Sequence, residues 1–96
     1  MRLSAEDIAT ALRELPGWAH EGGAIRKEYV FKGFRSAIAF IDRLAVRADE
    51  AKHHPDLENH YNRVVVSLTT WDEGGVTQKD VDLAREVESV AEPPEA

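Results

Sequence analysis

Two adjacent histidines followed by a proline, His53, His54 and Pro55, form the part of the sequence best equipped for chemistry. Histidine is the side chain that can both accept and donate a proton near neutral pH. Asp49 lies four residues before His53, and Glu50 lies four residues before His54. On a continuous helix, each imidazole would therefore face a carboxylate one turn upstream that can orient the ring. The segment predicts an acid–base site.

The element that must position this segment is a helix that ends at the proline. Proline cannot continue a helix and pushes the preceding residue towards extended geometry, so the helix is expected to stop at about His53. Upstream, apolar residues recur at the spacing of one buried helix face: Phe34, Ala37, Ile38, Ile41, Leu44, Ala45 and Ala48. Phe40 and Val46 lie off this stripe, which indicates a second buried face, as in a contact with another subunit.

A structural interpretation of the two histidines is also open. Side chains of this type near a helix C-terminus often only cap carbonyl groups and interact with the partial negative charge of that end. The residues alone do not separate this role from catalysis.

The other segments predict helices and strands around this element. Ser4 and Asp7 resemble a capping box, which predicts a first helix over residues 5–15 that is stopped by Pro16 and Gly17. Two strands over 18–20 and 24–31 flank a glycine turn. After the histidines we expect a polar connection over 56–59 and a strand over 60–71 rich in valine.

A last helix is expected to begin after Thr77. Thr77 as the N-cap and Asp80 three residues later form the aspartate variant of a capping box, which gives Asp80 a structural role of its own. The resulting order, αββαβα, predicts an α+β fold with a small antiparallel sheet of three to four strands and helices packed on one face. The uncovered face or edge of such a sheet favours a homo-oligomer, a dimer or a tetramer.

Composition restricts the kind of protein. The chain has 96 residues, a net charge of -6 and no cysteine. We expect one domain over 1–92 and a disordered tail over 93–96, where two prolines occur. The acidic balance argues against nucleic acid and anionic membranes as partners, and the absence of cysteine excludes disulfides and thiolate catalysis. With no apolar signal or membrane-spanning run, a cytoplasmic location is expected.

The stretch from Asp49 to Asp80 resembles the signature of the pterin-4a-carbinolamine dehydratases. That pattern is an acidic residue, His-His-Pro after three positions, an aromatic residue, a His or Trp, and an Asp. In this sequence its positions are filled by Asp49, His53, His54, Pro55, Tyr61, Trp71 and Asp80. The similarity extends upstream through the Pro-Gly-Trp and Phe-Lys-Gly-Phe segments and covers nearly the whole chain.

The resemblance implies a function. Members of the family remove water from 4a-hydroxytetrahydropterin, which aromatic amino acid hydroxylases produce, and they form quinonoid dihydropterin without a metal or organic cofactor. The implied catalytic residues are His53, His54 and Asp80, of which Asp80 orients the site. The implied substrate-binding residues are Asp49, His53, His54, Pro55, Thr70, Trp71, Asp72 and Glu73. An aromatic amino acid hydroxylase is the implied partner in tetrahydropterin recycling.

Two alternatives accompany this interpretation. Many members of the family carry histidine at the position of Trp71, and an indole cannot act as a base, although it offers an N–H donor and a flat face for stacking. Dehydratase-like domains also serve as dimerisation cofactors of a transcription factor and as Rubisco assembly factors, so a non-catalytic binding protein is the first alternative. A metal site built from His53, His54 and His60 is the second, although its spacing matches no standard zinc motif.

Overall fold

Helices and strands follow one another in the order αββαββα in the computed structural model, which describes residues 1–91. The elements are α1 (Ala5–Leu12), β1 (Ala19–Glu21), β2 (Ala24–Val30), α2 (Phe34–Ala51), β3 (Asp56–His60), β4 (Arg63–Leu68) and α3 (Gln78–Ala91). All strand pairs are antiparallel, and the order across the sheet is β1-β2-β4-β3. The predicted α+β fold class is confirmed. The predicted tail over 93–96 lies outside the described residues.

The fourth strand, β3, occupies the segment that was expected to be a polar connection. Its five residues pair with β4 along the edge of the sheet, from Asp56 opposite Ser67 to His60 opposite Arg63. Four of the five are exposed, so the segment lacks the alternation of apolar and polar residues that marks a half-buried strand. The prediction of a connection over 56–59 was wrong because backbone pairing with β4 creates this strand.

The hydrophobic core lies between the sheet and the helices. On the inner strand β4, Val64, Val66 and Leu68 are fully buried, whereas the residues between them point to the outer face and are half-buried. On β2, Ile25 and Tyr29 are buried on the same side. Helices α2 and α3 pack against each other over this face, as the predicted layer arrangement requires.

The buried face of α2 differs from the predicted stripe. Phe40 is completely buried in the core, together with Ala37, Leu44 and Ala48, whereas Phe34 is half-exposed. The expectation that Phe40 belongs to a second, intersubunit face was therefore wrong: its ring packs on Tyr29 with the ring centroids 5.1 Å apart. Val46, the other residue of that predicted face, is 56% exposed.

A cluster of hydrogen bonds around Glu88 connects α3 to β2 and to the turn after α1. Glu88 on α3 accepts hydrogen bonds through Oε2 from the Trp18 indole at 3.1 Å, from Lys27 Nζ at 2.7 Å and from the Tyr29 hydroxyl. Lys27 also donates to the carbonyl oxygen of Pro16 at 2.8 Å. Burial would by itself raise the pKa of Glu88, but the hydrogen bonds from Lys27, Tyr29 and Trp18 outweigh it and hold that pKa below its usual value.

Candidate functional site

His53 meets Asp80 across the interior of the molecule. Nε2 of the imidazole lies 2.5 Å from Oδ1 of the carboxylate, although the two residues are 27 positions apart in the chain. The His53 side chain is 12% exposed and Asp80 is fully buried. The mostly buried imidazole of His53 is thus held by the carboxylate of Asp80, which is shielded from water.

The second carboxylate oxygen of Asp80 accepts two hydrogen bonds. Oδ2 accepts a hydrogen bond from the Thr70 hydroxyl at 2.8 Å and another from the backbone N–H of Thr77 at 2.8 Å. The Thr77 hydroxyl lies 2.8 Å from that of Thr70, and it accepts from the backbone N–H of Lys79 at 3.2 Å. These donors offset the cost of burying a charged carboxylate.

The chemistry of the donors fixes the direction of this hydrogen-bond chain. Thr70 has one hydroxyl proton, which it gives to Asp80, so towards Thr77 it must accept. An ionised carboxylate can only accept, so opposite Oδ1 of Asp80 the imidazole of His53 donates from Nε2. His53 in its neutral form therefore has an unprotonated Nδ1 that can accept a proton.

His54 has a different carboxylate partner from the one expected. Its Nε2 lies 2.9 Å from Oδ1 of Asp49, and both side chains are largely exposed. The expected pairs, Asp49 with His53 and Glu50 with His54, assumed an unbroken helix and were wrong. Ion pairs this exposed contribute little to stability, so the contact orients the ring without strongly fixing it.

The end of α2 explains the change of partner. The helix stops at Ala51, and Lys52 adopts a left-handed conformation with φ +54°, with its N–H bonded to the carbonyl oxygens of Ala48 and Asp49. The N–H of His53 returns to the carbonyl oxygen of Ala48 at 3.2 Å. Beyond a left-handed C-cap the helical spacing no longer applies, and His53 turns inward to Asp80.

The segment after β4 places the remaining predicted substrate-binding residues. Thr70 is only 3% exposed and pairs through its backbone with Gly75. The segment between these two paired residues contains one exposed 3-10 turn, Trp71–Glu73. Thr70 is thus hydrogen-bonded to Asp80, which in turn contacts His53, while the next three side chains face solvent.

A shallow cavity lies beside this turn on the outer face of the sheet. Its volume is about 620 Å³, and its walls include Trp71, Arg26 and Ser67 together with Asp56, the residue after Pro55. This volume lies within the usual range for small-molecule sites. The Trp71 side chain, which is 79% exposed, offers the cavity a flat aromatic wall.

Residues 1–91 were compared with the geometry of a metal site and with the length of a membrane-spanning helix. Within that part of the chain no group of three or more His, Cys, Asp or Glu side chains is arranged to hold a metal ion. His60, which belonged to the metal alternative, lies on β3 with Nε2 3.3 Å from Glu58. None of the described helices is both long and apolar enough to cross a membrane.

One residue of the hydrogen-bond chain was not expected in the site. Thr77 was predicted as the N-cap of α3, and its capping box with Asp80 is present. Its contact with Thr70 was not predicted. The signal lay in the capping box itself, because an aspartate that caps a helix with one oxygen keeps the other free for a distant partner.

The fold and this His–Asp pair define a small α+β protein in which a fully buried carboxylate holds one mostly buried imidazole. Comparison with known proteins assigns its family. The family model described as pterin 4 alpha carbinolamine dehydratase matches residues 1–90. A relative from Thermomicrobium roseum, named "Putative pterin-4-alpha-carbinolamine dehydratase", is 49% identical over 90 residues, which span 94% of this chain and 97% of the relative. A protein of the same name from Sulfolobus acidocaldarius is 41% identical over 90 residues, 94% of this chain and 99% of its own.

Solved structures agree with this assignment. The crystal structure of a transcriptional coactivator/pterin dehydratase from Brucella melitensis superposes with a TM-score of 0.91 at 40% identity and covers 95% of this chain and 99% of its own. A pterin dehydratase-like protein described as a RuBisCO assembly factor in the alpha-carboxysome gives 0.69 at 22% identity, over 79% of this chain and 90% of its own, and shares the fold. This chain belongs to the pterin-4a-carbinolamine dehydratase family.

Proposed function

We propose that this protein catalyses the dehydration of a 4a-hydroxytetrahydropterin to the quinonoid dihydropterin. The observation that carries the proposal is the contact between His53 and the fully buried Asp80. A carboxylate saturated with hydrogen bonds holds one imidazole in a defined orientation and tautomer, which is the requirement for a proton-transfer group. A surface histidine that only caps a helix needs no such partner.

The reaction requires two proton transfers. The bond between C4a and the hydroxyl oxygen breaks, the oxygen takes up a proton and leaves as water, and a ring nitrogen loses a proton. In our proposal Nδ1 of His53 accepts the ring proton, because Nε2 is committed to Asp80. His54 is open to solvent and held at 2.9 Å by Asp49, and it donates the proton to the leaving oxygen.

The pterin ring is proposed to lie against Trp71. Its exposed indole forms a wall of the cavity and suits stacking on a planar bicyclic ring. Asp72 and Glu73 on the same turn present acceptors to the amino and ring N–H groups of a pterin. Pro55 directly precedes Asp56, which lines the cavity.

A non-catalytic binding or assembly function is the second candidate, and Trp71 favours it. Many family members have a histidine at this position, and an indole supplies no base. An aromatic side chain that is 79% exposed is also typical of a residue buried by a protein partner. A partner of this kind would use the same turn that we assign to the pterin.

An assay of dehydration separates these two functions. The rate at which the purified protein dehydrates synthetic 4a-hydroxytetrahydropterin, above the uncatalysed rate, is measured for wild type and for His53→Ala. His60→Ala is the matched control, because His60 is an exposed histidine whose ring contacts a surface glutamate. The proposal is supported if His53→Ala loses catalysis while wild type and His60→Ala keep it.

The variant Trp71→His shows what it would mean if the wild-type protein had no dehydratase activity. If wild type is inert and Trp71→His gains activity, the pocket has been kept while a catalytic group has been lost, and the binding function takes precedence. If neither protein is active and neither binds a pterin in a titration, the dehydratase proposal is wrong.

We also infer a homo-oligomer, a dimer or a tetramer, that works beside an aromatic amino acid hydroxylase in the cytoplasm. The half-exposed Phe34 and the exposed Val46 on α2 support the self-association. Light scattering of the purified chain tests the oligomeric state, and a coupled hydroxylase reaction with and without this protein tests the partner.

A further inference from the structure

We propose that Thr70 is a positioning residue, whose hydroxyl is held by Thr77 and acts through Asp80 to hold the proton of His53 on Nε2. This inference deepens the proposed function, on which it rests. It gives Thr70 a role other than the substrate contact implied by the family resemblance. It also gives Thr77 a role beyond capping a helix.

Burial rules out a direct substrate contact for the Thr70 side chain. Thr70 is 3% exposed, and its hydroxyl is engaged on both sides, by Oδ2 of Asp80 at 2.8 Å and by the Thr77 hydroxyl at 2.8 Å. A substrate would have to break the hydrogen-bond chain to reach it. The exposed group at this point of the chain is the next residue, Trp71.

The two oxygens of Asp80 are made unequal by this arrangement. Oδ2 receives the Thr70 hydroxyl and the N–H of Thr77, and Oδ1 faces only His53. A proton on Oδ2 would oppose both donors, so the carboxyl group stays an acceptor there. The Thr70 hydroxyl thereby fixes the carboxylate plane and aims Oδ1 at Nε2 of the imidazole.

Asp80 sets the direction of the Thr70 hydroxyl, because a carboxylate oxygen can only accept. Thr70 therefore donates to Oδ2 of Asp80 and accepts from the Thr77 hydroxyl. The N–H of Lys79 donates to the Thr77 oxygen at 3.2 Å and holds that side chain in place. The start of α3 thus orders a chain of four groups that ends at the catalytic imidazole.

The test compares Thr70→Val with Thr70→Ser. Valine keeps the shape and removes the hydroxyl, whereas serine keeps the hydroxyl. The tautomer of His53 is determined from its ring-nitrogen resonances by ¹⁵N NMR at about pH 8, where imidazole is ordinarily neutral. We expect wild type and Thr70→Ser to carry the proton on Nε2 and Thr70→Val to show a mixture of tautomers.

Kinetics supply an independent result. We expect kcat of Thr70→Val to fall about tenfold with KM unchanged, since the variant weakens an interaction with a charged group and touches no substrate. Thr10→Val is the matched control, because Thr10 gives its hydroxyl to the carbonyl oxygen of Glu6 on the exposed side of α1. It should leave both the NMR pattern and the rate unchanged.

Three outcomes overturn the proposal. An unchanged His53 tautomer in Thr70→Val shows that the hydroxyl does not hold the proton. A raised KM with unchanged kcat shows a substrate contact. A wild-type protein with the proton on Nδ1 shows that the chain runs in the other direction. The NMR result needs no substrate, so it stands even if the protein proves inert as a dehydratase.

Discussion

Replacing Asp80 by asparagine should invert the tautomer of His53 while leaving the fold intact. Oδ2 accepts hydrogen bonds from Thr70 and from the N–H of Thr77, so only the carbonyl oxygen of an asparagine can satisfy that side. The amide nitrogen then takes the place of Oδ1 and points its N–H at Nε2 of His53. Two donors cannot face each other at hydrogen-bond distance, so the imidazole must move its proton to Nδ1.

The expected loss is large in rate and small in stability. Asparagine keeps the two donors on Oδ2 satisfied and gives Nε2 a new donor, so the free energy of unfolding should change by about 1 kcal/mol. Loss of a positioned proton acceptor should lower kcat by about 10²- to 10⁴-fold. The lower figure alone corresponds to about 2.7 kcal/mol of transition-state stabilisation.

The assay measures kcat for dehydration together with the urea midpoint of unfolding. Asp82→Asn is the matched control, because Asp82 lies on the same helix, is 64% exposed and contacts Gln78 and Arg85 at the surface. It should retain the wild-type rate. If Asp80→Asn stays within about twofold of wild type, the tautomer of His53 is not what the reaction requires.

Two further predictions concern the cluster around Glu88. The lowered pKa of Glu88 means that its contribution to stability is present above the ordinary glutamate range and is lost as pH falls through the lowered value. Thermal unfolding between neutral and acidic pH should therefore depend less on pH in Glu88→Gln than in wild type, and equal dependence would contradict this. Gly17 has φ +88° and leaves room for Lys27, whose Cε would lie 2.8 Å from an added Cβ. Gly17→Ala should cost about 2 kcal/mol in denaturant unfolding, against about 1 kcal/mol for Gly22→Ala, where an added Cβ meets nothing within 4 Å. Equal losses would show that Lys27 moves aside freely.

Elements with a strong local pattern were predictable. The alternation of β2 and the apolar run of β4 identified both strands, and the capping box at Thr77 located the start of α3. The first helix was predicted three residues too long, because residues 13–15 continue as tighter turns with hydrogen bonds to the third residue back. Such tightening is common at helix ends and leaves no clear mark in the sequence.

Elements that depend on distant partners were not predictable in the same way. Strand β3 is polar and mostly exposed, and only pairing with β4 makes it a strand. Phe40 was placed on a separate face because the apolar stripe was drawn through Phe34 and Ile41, whereas packing against Tyr29 turns α2 the other way. A helix with apolar residues on more than half of its circumference does not define its own orientation.

The candidate site likewise has a part that the local sequence predicts and a part that depends on distant contacts. The sequence by itself determined which groups are available: two imidazoles shortly after a helix, followed by Pro55, and an aspartate in a helix cap. Their types and local spacing are short-range properties. Only the tertiary structure decided that His53 pairs with Asp80 and not with Asp49, because the left-handed Lys52 redirects the chain and α3 brings Asp80 from 27 residues away. A contact of that range depends on how the helices pack, and no local pattern records it.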